Sequence, residues 1–442
     1  MAAACGGRAP RPPIAAGAAC LVSFAIFWVA QRLAQVSMID LTVYRAEGAT
    51  VLTGGDLYAL RVTAAHLPTT YPPFAAILFT PLPLLDSGLL RTLATAGNLG
   101  LLIALVHLSL RLLGHAGPAA TLWIAAVAVW CEPVWTTLRY GQVNLALAVV
   151  VLWDLTRHDR HRWAGAGIGL AAAVKLTPGL FVVFLLLTGL LLARHRGSYG
   201  LGGNPWLRRA AAACAAFLAA TLASAAVLPA DSWNFWTRTL FESARVGHTE
   251  DTANQSLGGL LARLLHTGAP GGWWAACAAL VAVLGLYAAA DAALRGDRAR
   301  AALTCAVTAL LVSPISWSHH WVWCVPLVLF LADGAVRGGR VRRAVVCAAG
   351  AVFFSYALWA VPHGKQDRPE LHQGVGEFAL SALYPSVGLA FVLAGVCRSF
   401  SHGTLARGSF VPAPPCGQIA PRPDARHPGP VDTPTGQALA KE

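Results

Sequence analysis

Asp40 is the residue of this sequence best placed to act as a general base. It is the first acidic residue, and it follows an apolar block that runs from Ile14 to Val36. A carboxylate at a membrane–water boundary loses part of its hydration, which raises its basicity and suits it to proton abstraction. On a helix, Tyr44 and Glu47 would share its face. Asp40 could equally cap a helix N-terminus, since aspartate accepts hydrogen bonds from free backbone amides.

Two adjacent histidines, His319 and His320, are the second feature with chemical potential. They follow the segment Ser313-Pro314-Ile315-Ser316-Trp317-Ser318 and precede Trp321 and Trp323. Imidazole titrates near neutral pH, so the pair can bind a phosphate or relay protons. A metal site is disfavoured, because neighbouring helical residues point about 100° apart and no acid follows at ligand spacing. The alternative is an interfacial belt of Trp and His, which is typical of membrane proteins.

Lys175 stands out because the chain has only two other lysines, Lys365 and Lys441, among its 33 basic residues. It lies between two apolar half-blocks, where it can hold a lipid phosphate or simply extend its ammonium group to the surface. Amide side chains at other block edges suit the hydroxyl groups of a sugar, although helix capping is the alternative. These amides belong to Gln142, Asn144, Asn254 and Gln255.

The composition indicates the class of protein that holds these residues in place. The chain has 442 residues, of which 56% are hydrophobic and 12% charged, whereas soluble domains have about 25% charged residues. The apolar residues form long blocks, and a membrane-spanning helix needs about 20 residues. We therefore predict an all-α polytopic membrane protein. The ten cysteines form no CxxC pair and lie mostly in apolar blocks, which predicts core residues rather than disulfides or metal ligands.

A membrane-embedded domain over residues 1–397 and a disordered cytoplasmic tail over 398–442 are the predicted units. Most arginines fall into alternate connections, which predicts that both termini are cytoplasmic and that the chain lies in the plasma membrane. The net charge of +13 is thus explained by topology, without a nucleic-acid partner. We predict about twelve spans, at 14–36, 90–112, 119–132, 143–156, 163–174, 178–193, 210–229, 273–294, 300–316, 321–335, 343–361 and 377–397.

The first outer loop, residues 37–90, carries an unusual number of polar residues. Leu41, Ala49 and Leu52 recur at near-helical spacing, which predicts a short amphipathic surface helix ending before Gly54-Gly55. The segment that opens at Tyr71-Pro72-Pro73-Phe74 is broken by two further prolines, so it is predicted to be a second surface or re-entrant helix.

These motifs together resemble glycosyltransferase family 87, the polyprenol-phosphate-mannose-dependent α-1,2-mannosyltransferases of the GT-C superfamily. The resemblance spans residues 40–321. It rests on Asp40-Leu41-Thr42-Val43-Tyr44, Gly54-Gly55-Asp56-Leu57-Tyr58, Tyr71-Pro72-Pro73-Phe74, Gly141-Gln142-Val143-Asn144, Lys175-Leu176-Thr177-Pro178, Asn254-Gln255-Ser256-Leu257 and the segment from Ser313 to Trp321.

The resemblance implies a catalytic Asp40 in an active site on the outer face of the membrane. The implied reaction is an inverting transfer of mannose from polyprenyl-phosphate-mannose to a glycan or glycolipid acceptor. Lys175, His319 and His320 would bind the donor phosphate. No metal and no cofactor are expected, since a monophosphate leaving group needs less charge neutralisation than a diphosphate and the sequence shows no clear acidic pair to hold a divalent ion. Sugar- or acceptor-binding roles would fall to Tyr44, Glu47, Gln142, Asn144, Asn254 and Gln255.

Two alternatives remain open at the level of sequence. An enzyme of this kind could use another polyprenyl-phosphate sugar, such as a pentose. A lipid or glycan transporter would also carry polar residues near its spans, but it would tend to show paired half-repeats and acids at mid-membrane, which this sequence lacks.

Overall fold

The computed structural model describes residues 13–401, except 116, 160, 198, 199, 202, 243, 244, 337, 365, 366 and the side chain of residue 196. The described chain is mainly helical, with one two-stranded antiparallel ribbon, β1 (Arg61–Val62) with β2 (Leu67–Pro68). In these ranges the α-helices are α1 (Pro13–Leu33), α2 (Ile39–Thr53), α3 (Pro73–Leu78), α4 (Ser87–Leu112), α5 (Pro118–Ala128), α6 (Glu132–Tyr140), α7 (Asn144–Leu155), α8 (Ala166–Val174), α9 (Gly179–Arg196), α10 (Pro205–Val227), α11 (Pro229–Thr237), α12 (Leu257–Leu264), α13 (Gly271–Leu294), α14 (Arg298–Val312), α15 (Cys324–Val336), α16 (Arg340–Phe354), α17 (Val375–Ser381) and α18 (Leu383–Ser401).

Six helical segments of the described chain are long and apolar enough to cross a membrane. They are α1, α4, α10, α13, α18 and the run Ser318–Val336, in which a 3₁₀ segment leads into α15. The pair α5–α6 is a seventh candidate that bends by 77° at its break. The predicted all-α, multi-pass membrane class is therefore confirmed. Each of the twelve predicted spans overlaps a helix, but several of these helices are short, so the number twelve stays a prediction.

The segment 37–90, predicted to be the first outer loop, contains a helix at the predicted place. Helix α2 begins at Ile39 and ends before Gly54, whose φ of 73° is the left-handed conformation that commonly ends a helix. Asp40 lies in its first turn without capping it, since the N-cap position is Met38 and no side chain caps the helix. The second predicted helix appears as α3, which Pro72 and Pro73 open, followed by a 3₁₀ turn at Leu82–Leu84.

The break after α6 brings two distant segments together. Gly141 follows the last residue of α6 with φ of 70°, a conformation that favours glycine. A Cβ atom at Gly141 would lie 2.7 Å from the Cβ atom of Leu41 in α2. A side chain at this position would therefore push α6 away from α2. The close approach places the next residue, Gln142, beside Asp40.

The apolar core runs through the helical bundle. Fully buried leucines of α4 and α7 belong to one large cluster with residues of α14 and α15. Helix α18 continues to Ser401, which includes the first four residues of the predicted tail. Residues 402–442 lie outside the described residues, so the predicted disorder of the tail stays a prediction.

Candidate active site

A cavity of about 540 Å³ opens beside α2, and it gathers most of the residues selected from the sequence. Its described walls come from α2, the segment 67–72, the start of the loop after α6, the α8–α9 junction and the segments 239–242, 245–253, 313–320, 359–364 and 367–370. Seven of the ten predicted site residues line it: Asp40, Tyr44, Glu47, Gln142, Lys175, His319 and His320. Asn144 lines a small adjoining pocket, which shares Lys175 and His320 with the larger one.

The Asp40 carboxylate is oriented by a glutamine that two tyrosines hold in place. Gln142 Nε2 donates to Asp40 Oδ2 at 2.8 Å. The other end of the amide, Gln142 Oε1, accepts from the Tyr44 hydroxyl at 2.7 Å and the Tyr71 hydroxyl at 3.1 Å. Because the tyrosines occupy the carbonyl oxygen, the amide nitrogen must face Asp40. Among the described residues, Asp40 Oδ1 has no hydrogen-bond partner, so it is available to a substrate hydroxyl.

The environment of Asp40 suits a base that works near neutral pH. Burial raises the pKa of Asp40 to about 6, although the Gln142 hydrogen bond and the charge of Lys175 lower it. A general base is most effective when its pKa lies near the operating pH. Burial and, to a smaller extent, the charge of Asp40 raise the pKa of Glu47 to about 8. Glu47 therefore carries its proton at neutral pH and can donate a hydrogen bond into the cavity.

Lys175 lines the same cavity as Asp40, at the break between α8 and α9. Its backbone is extended there, and Pro178 prevents α8 from continuing smoothly into α9. Lys175 Nζ lies 3.0 Å from Asn144 Oδ1, 3.0 Å from His320 Nε2 and 3.3 Å from the Tyr71 hydroxyl. Burial lowers the pKa of Lys175 to about 7, partly offset by the charge of Asp40. An anion bound here would stabilise the ammonium form.

His319 and His320 have different surroundings, although both line the cavity. The backbone carbonyl of His319 accepts from the Thr137 hydroxyl at 2.8 Å and from Asn144 Nδ2 at 3.0 Å. The His319 ring packs edge-on against Tyr140. His320 contributes its ring nitrogen to the Lys175 cluster. His319 thus anchors the backbone of the segment, whereas His320 presents a ring nitrogen beside Lys175.

Asn254 and Gln255 do not line the cavity. Both side chains are fully buried. Asn254 Oδ1 accepts from the backbone of Ser256 and Ser316, and Gln255 Nε2 donates to the carbonyls of Thr252 and Ser381. These contacts join the segment around Asn254 to Ser316 and to Ser381, so both amides have a structural role. A direct contact with a sugar stays a prediction.

Several cavity residues were not selected from the sequence. Tyr71 belongs to the motif Tyr71-Pro72-Pro73-Phe74, for which the sequence predicted no role at the site, yet its hydroxyl connects Gln142 with Lys175. The cavity is also lined by Glu250, Trp359, His363 and Arg368, among others. There Arg368 Nη2 lies 2.5 Å from Glu250 Oε1. No local sequence signal marks these residues, because they lie in connecting segments far apart in the chain.

No three His, Cys, Asp or Glu side chains converge as a metal site would, as far as the described part of the chain is concerned. The expected absence of a metal remains a prediction. The cavity presents an oriented carboxylate, Asp40, and a cluster of Lys175 and His320.

Comparisons with known proteins identify the family. The model of glycosyltransferase family 87 matches residues 70–314. The chain is 36% identical, over 67% of its length, to the polyprenol-phosphate-mannose-dependent α-(1-2)-phosphatidylinositol pentamannoside mannosyltransferase of Mycobacterium tuberculosis CDC 1551, and the match spans 66% of that relative. It is 35% identical, over 70% of its length and 73% of the relative, to a phosphatidylinositol mannoside mannosyltransferase of Mycolicibacterium smegmatis with the same donor in its name.

One solved structure is also similar, ArnT from Cupriavidus metallidurans bound to undecaprenyl phosphate. The sequence identity is 14% over 85% of this chain and 77% of that one, and the TM-score of 0.37 is too low to support a conclusion. The identification rests on the family model and on the relatives. The predicted family is confirmed: this chain belongs to glycosyltransferase family 87.

Proposed function

We propose that the enzyme transfers mannose from polyprenyl-phosphate-mannose to a glycolipid or glycan hydroxyl, forming an α-1,2 linkage with inversion. One observation carries the proposal. Asp40, an oriented base, and Lys175 with His320, a phosphate-binding cluster, line the same cavity and are joined through Gln142 and Tyr71. The names of the relatives supply the donor and the linkage.

Asp40 removes the acceptor proton in the proposed reaction. Its free oxygen, Oδ1, accepts the proton of the attacking hydroxyl as the new bond forms between the acceptor oxygen and C1 of mannose. The bond between C1 and the phosphate oxygen breaks on the opposite face, so a β-linked donor gives an α-linked product. Gln142 keeps the carboxylate in position throughout, since its own carbonyl is held by two tyrosines.

Lys175 and His320 stabilise the departing polyprenyl phosphate. Negative charge builds up on the phosphate as the sugar leaves, and a positioned cation in a water-poor site stabilises this charge strongly. A charged lysine away from water is costly unless it has a partner. The donor phosphate supplies that partner. Before the donor binds, the ammonium group of Lys175 donates a hydrogen bond to Asn144.

The acceptor enters from the outer end of the cavity in this proposal. Glu250, Trp359, His363 and Arg368 offer hydrogen-bonding groups and an aromatic face to sugars. The relatives named above act on phosphatidylinositol mannosides, and we propose a lipid-anchored mannoside of this class as the acceptor. The cavity then faces the outside of the plasma membrane, with both termini in the cytoplasm.

Transfer by the purified enzyme in lipid nanodiscs tests the proposal. Radiolabelled mannosyl, glucosyl and pentosyl polyprenyl phosphates are offered separately, with a phosphatidylinositol mannoside as acceptor. We expect label transfer from the mannosyl donor alone, and an α-1,2 linkage that a linkage-specific mannosidase removes. Transfer from the pentosyl donor at an equal or higher rate would overturn the assignment of mannose. No transfer from any donor would overturn the proposed reaction.

A further inference from the structure

A buried carboxylate outside the cavity organises the segment that carries the histidines. Glu132, the first residue of α6, has no exposed surface. Its Oε1 accepts hydrogen bonds from the Thr136 hydroxyl at 2.7 Å and the Ser318 hydroxyl at 2.9 Å. The same oxygen accepts from the Trp359 indole at 3.0 Å, and Oε2 accepts from the Tyr384 hydroxyl at 2.7 Å.

A buried carboxylate destabilises the fold unless hydrogen bonds satisfy it, and Glu132 accepts four of them. No basic side chain forms an ion pair with Glu132 among the described residues. Four neutral donors take that place, and three of them come from segments more than 180 residues away. An apolar residue could fill the volume of Glu132, but it would leave all four donors unpaired.

Two residues of α6 hold the histidine segment at neighbouring points. Glu132 binds the Ser318 hydroxyl, and Thr137 binds the carbonyl of His319 at 2.8 Å. The next residue, His320, meets Lys175. Glu132 also fixes Trp359, which lines the cavity. The carboxylate itself is not on the cavity wall, so any influence on the reaction passes through these partners.

We propose that Glu132 is a positioning residue for the donor-phosphate cluster: by holding Ser318 it sets the place of His320 relative to Lys175. The inference rests on the proposed function, in which His320 serves the donor phosphate. What Glu132 contributes is a pattern of hydrogen-bond acceptors. A glutamine retains most of this pattern, because its amide oxygen still accepts at the place of Oε1 while its amide nitrogen donates to the Tyr384 hydroxyl, which can also accept. A leucine abolishes it.

Glu132→Leu and Glu132→Gln test the inference, with Asp291→Asn as a control. Asp291 is also a buried carboxylate, and one of its oxygens, Oδ2, accepts from Arg295 and Ser399, so an asparagine amide oxygen can keep both contacts. It lies in α13 and does not line the cavity. Per folded enzyme, Glu132→Leu should lower kcat/KM for the donor by about 10²-fold, as a misplacement of about 1 Å can. Glu132→Gln and Asp291→Asn should stay within about threefold, as expected where the reacting groups do not move.

A double-mutant cycle with His320→Ala separates positioning from general stability. If Glu132 acts through His320, then Glu132→Leu should cost less than about threefold in the His320→Ala background, because the two effects are coupled. An equal cost in both backgrounds would overturn the inference. So would wild-type kcat/KM in Glu132→Leu, or a loss in Glu132→Gln as large as in Glu132→Leu. Ser318→Ala replaces Glu132→Leu in the same cycle if the leucine variant does not fold.

Binding of a C55 polyprenyl phosphate without sugar, followed by tryptophan fluorescence, gives a readout that needs no transfer. Glu132→Leu should weaken this binding about tenfold, in line with a single misplaced phosphate contact, and Glu132→Gln should leave it unchanged. Wild-type enzyme that binds the lipid phosphate but transfers no mannose would refute the proposed function and leave this readout intact. Equal affinity in the wild type and Glu132→Leu would refute the positioning role.

Discussion

Replacing Asp40 by asparagine removes the proposed base with little change of shape. The amide oxygen of the asparagine can still accept from Gln142 Nε2, whose orientation the hydroxyls of Tyr44 and Tyr71 fix. The variant should therefore fold like the wild type. Only the capacity to take a proton is lost, together with the negative charge facing Lys175.

The size of the expected loss follows from the role of Asp40. With a pKa of about 6, about nine tenths of the enzyme carries the carboxylate form at pH 7. A positioned general base is worth about 10²–10⁴-fold in rate, which corresponds to about 2.7–5.5 kcal/mol in the barrier. We expect Asp40→Asn to lose this factor in kcat. The residual activity would come from Lys175 and His320, which still hold the donor.

The measurement is single-turnover transfer from radiolabelled polyprenyl-phosphate-mannose, normalised to monodisperse enzyme, between pH 5 and 8. The wild-type rate should fall below about pH 6 as Asp40 becomes protonated, and this acid limb should be absent from Asp40→Asn. Asp56→Asn is the control, because Asp56 is exposed, bonds only the turn amides of Tyr58 and Ala59 and does not line the cavity. A rate for Asp40→Asn within tenfold of the wild type, or a retained acid limb, would refute the assignment.

Three further outcomes are expected. In steady-state kinetics, Lys175→Ala and His320→Ala should each raise the donor KM or lower kcat by at least about tenfold, the scale of a lost charge-assisted contact. The acceptor KM should stay unchanged. A rise confined to the acceptor KM would contradict the role of these residues at the donor phosphate. Glu47→Gln should flatten the pH dependence of Tm between about pH 4.5 and 8. The carboxyl group of Glu47 keeps its proton up to about pH 8 in the folded protein but only up to about pH 4.5 in the unfolded chain. Its contribution to the stability of the wild type is therefore complete below about pH 4.5 and is lost as the pH rises through about 8. Cysteines introduced at Asp56 and Gly403 in a cysteine-free background should react with an impermeant maleimide from opposite sides of the membrane, and labelling from the same side would contradict the topology.

The sequence alone determined the class of protein and selected the residues that we propose to react. Membrane insertion depends on the length and apolarity of local segments, so the helical blocks could be located without knowledge of their packing. Asp40 and Lys175 could be selected for the same reason, since an isolated charge next to an apolar block is costly and calls for a function or a partner. The glycine that ends α2 was equally visible, because a helix end depends on local backbone geometry.

Only the tertiary structure decided which side chains meet. Gln142 orients Asp40 across 102 residues of sequence, and Tyr71 joins that pair to Lys175 across 104. Asn254 and Gln255 carried the same sequence signal as Gln142, yet they lie behind the cavity wall. Glu132 gave no signal at all, because its four donors converge only once α6, the histidine segment and α18 have packed. Sequence periodicity reports which face of a helix is apolar, whereas the partner of a polar side chain depends on how helices cross and where their breaks fall.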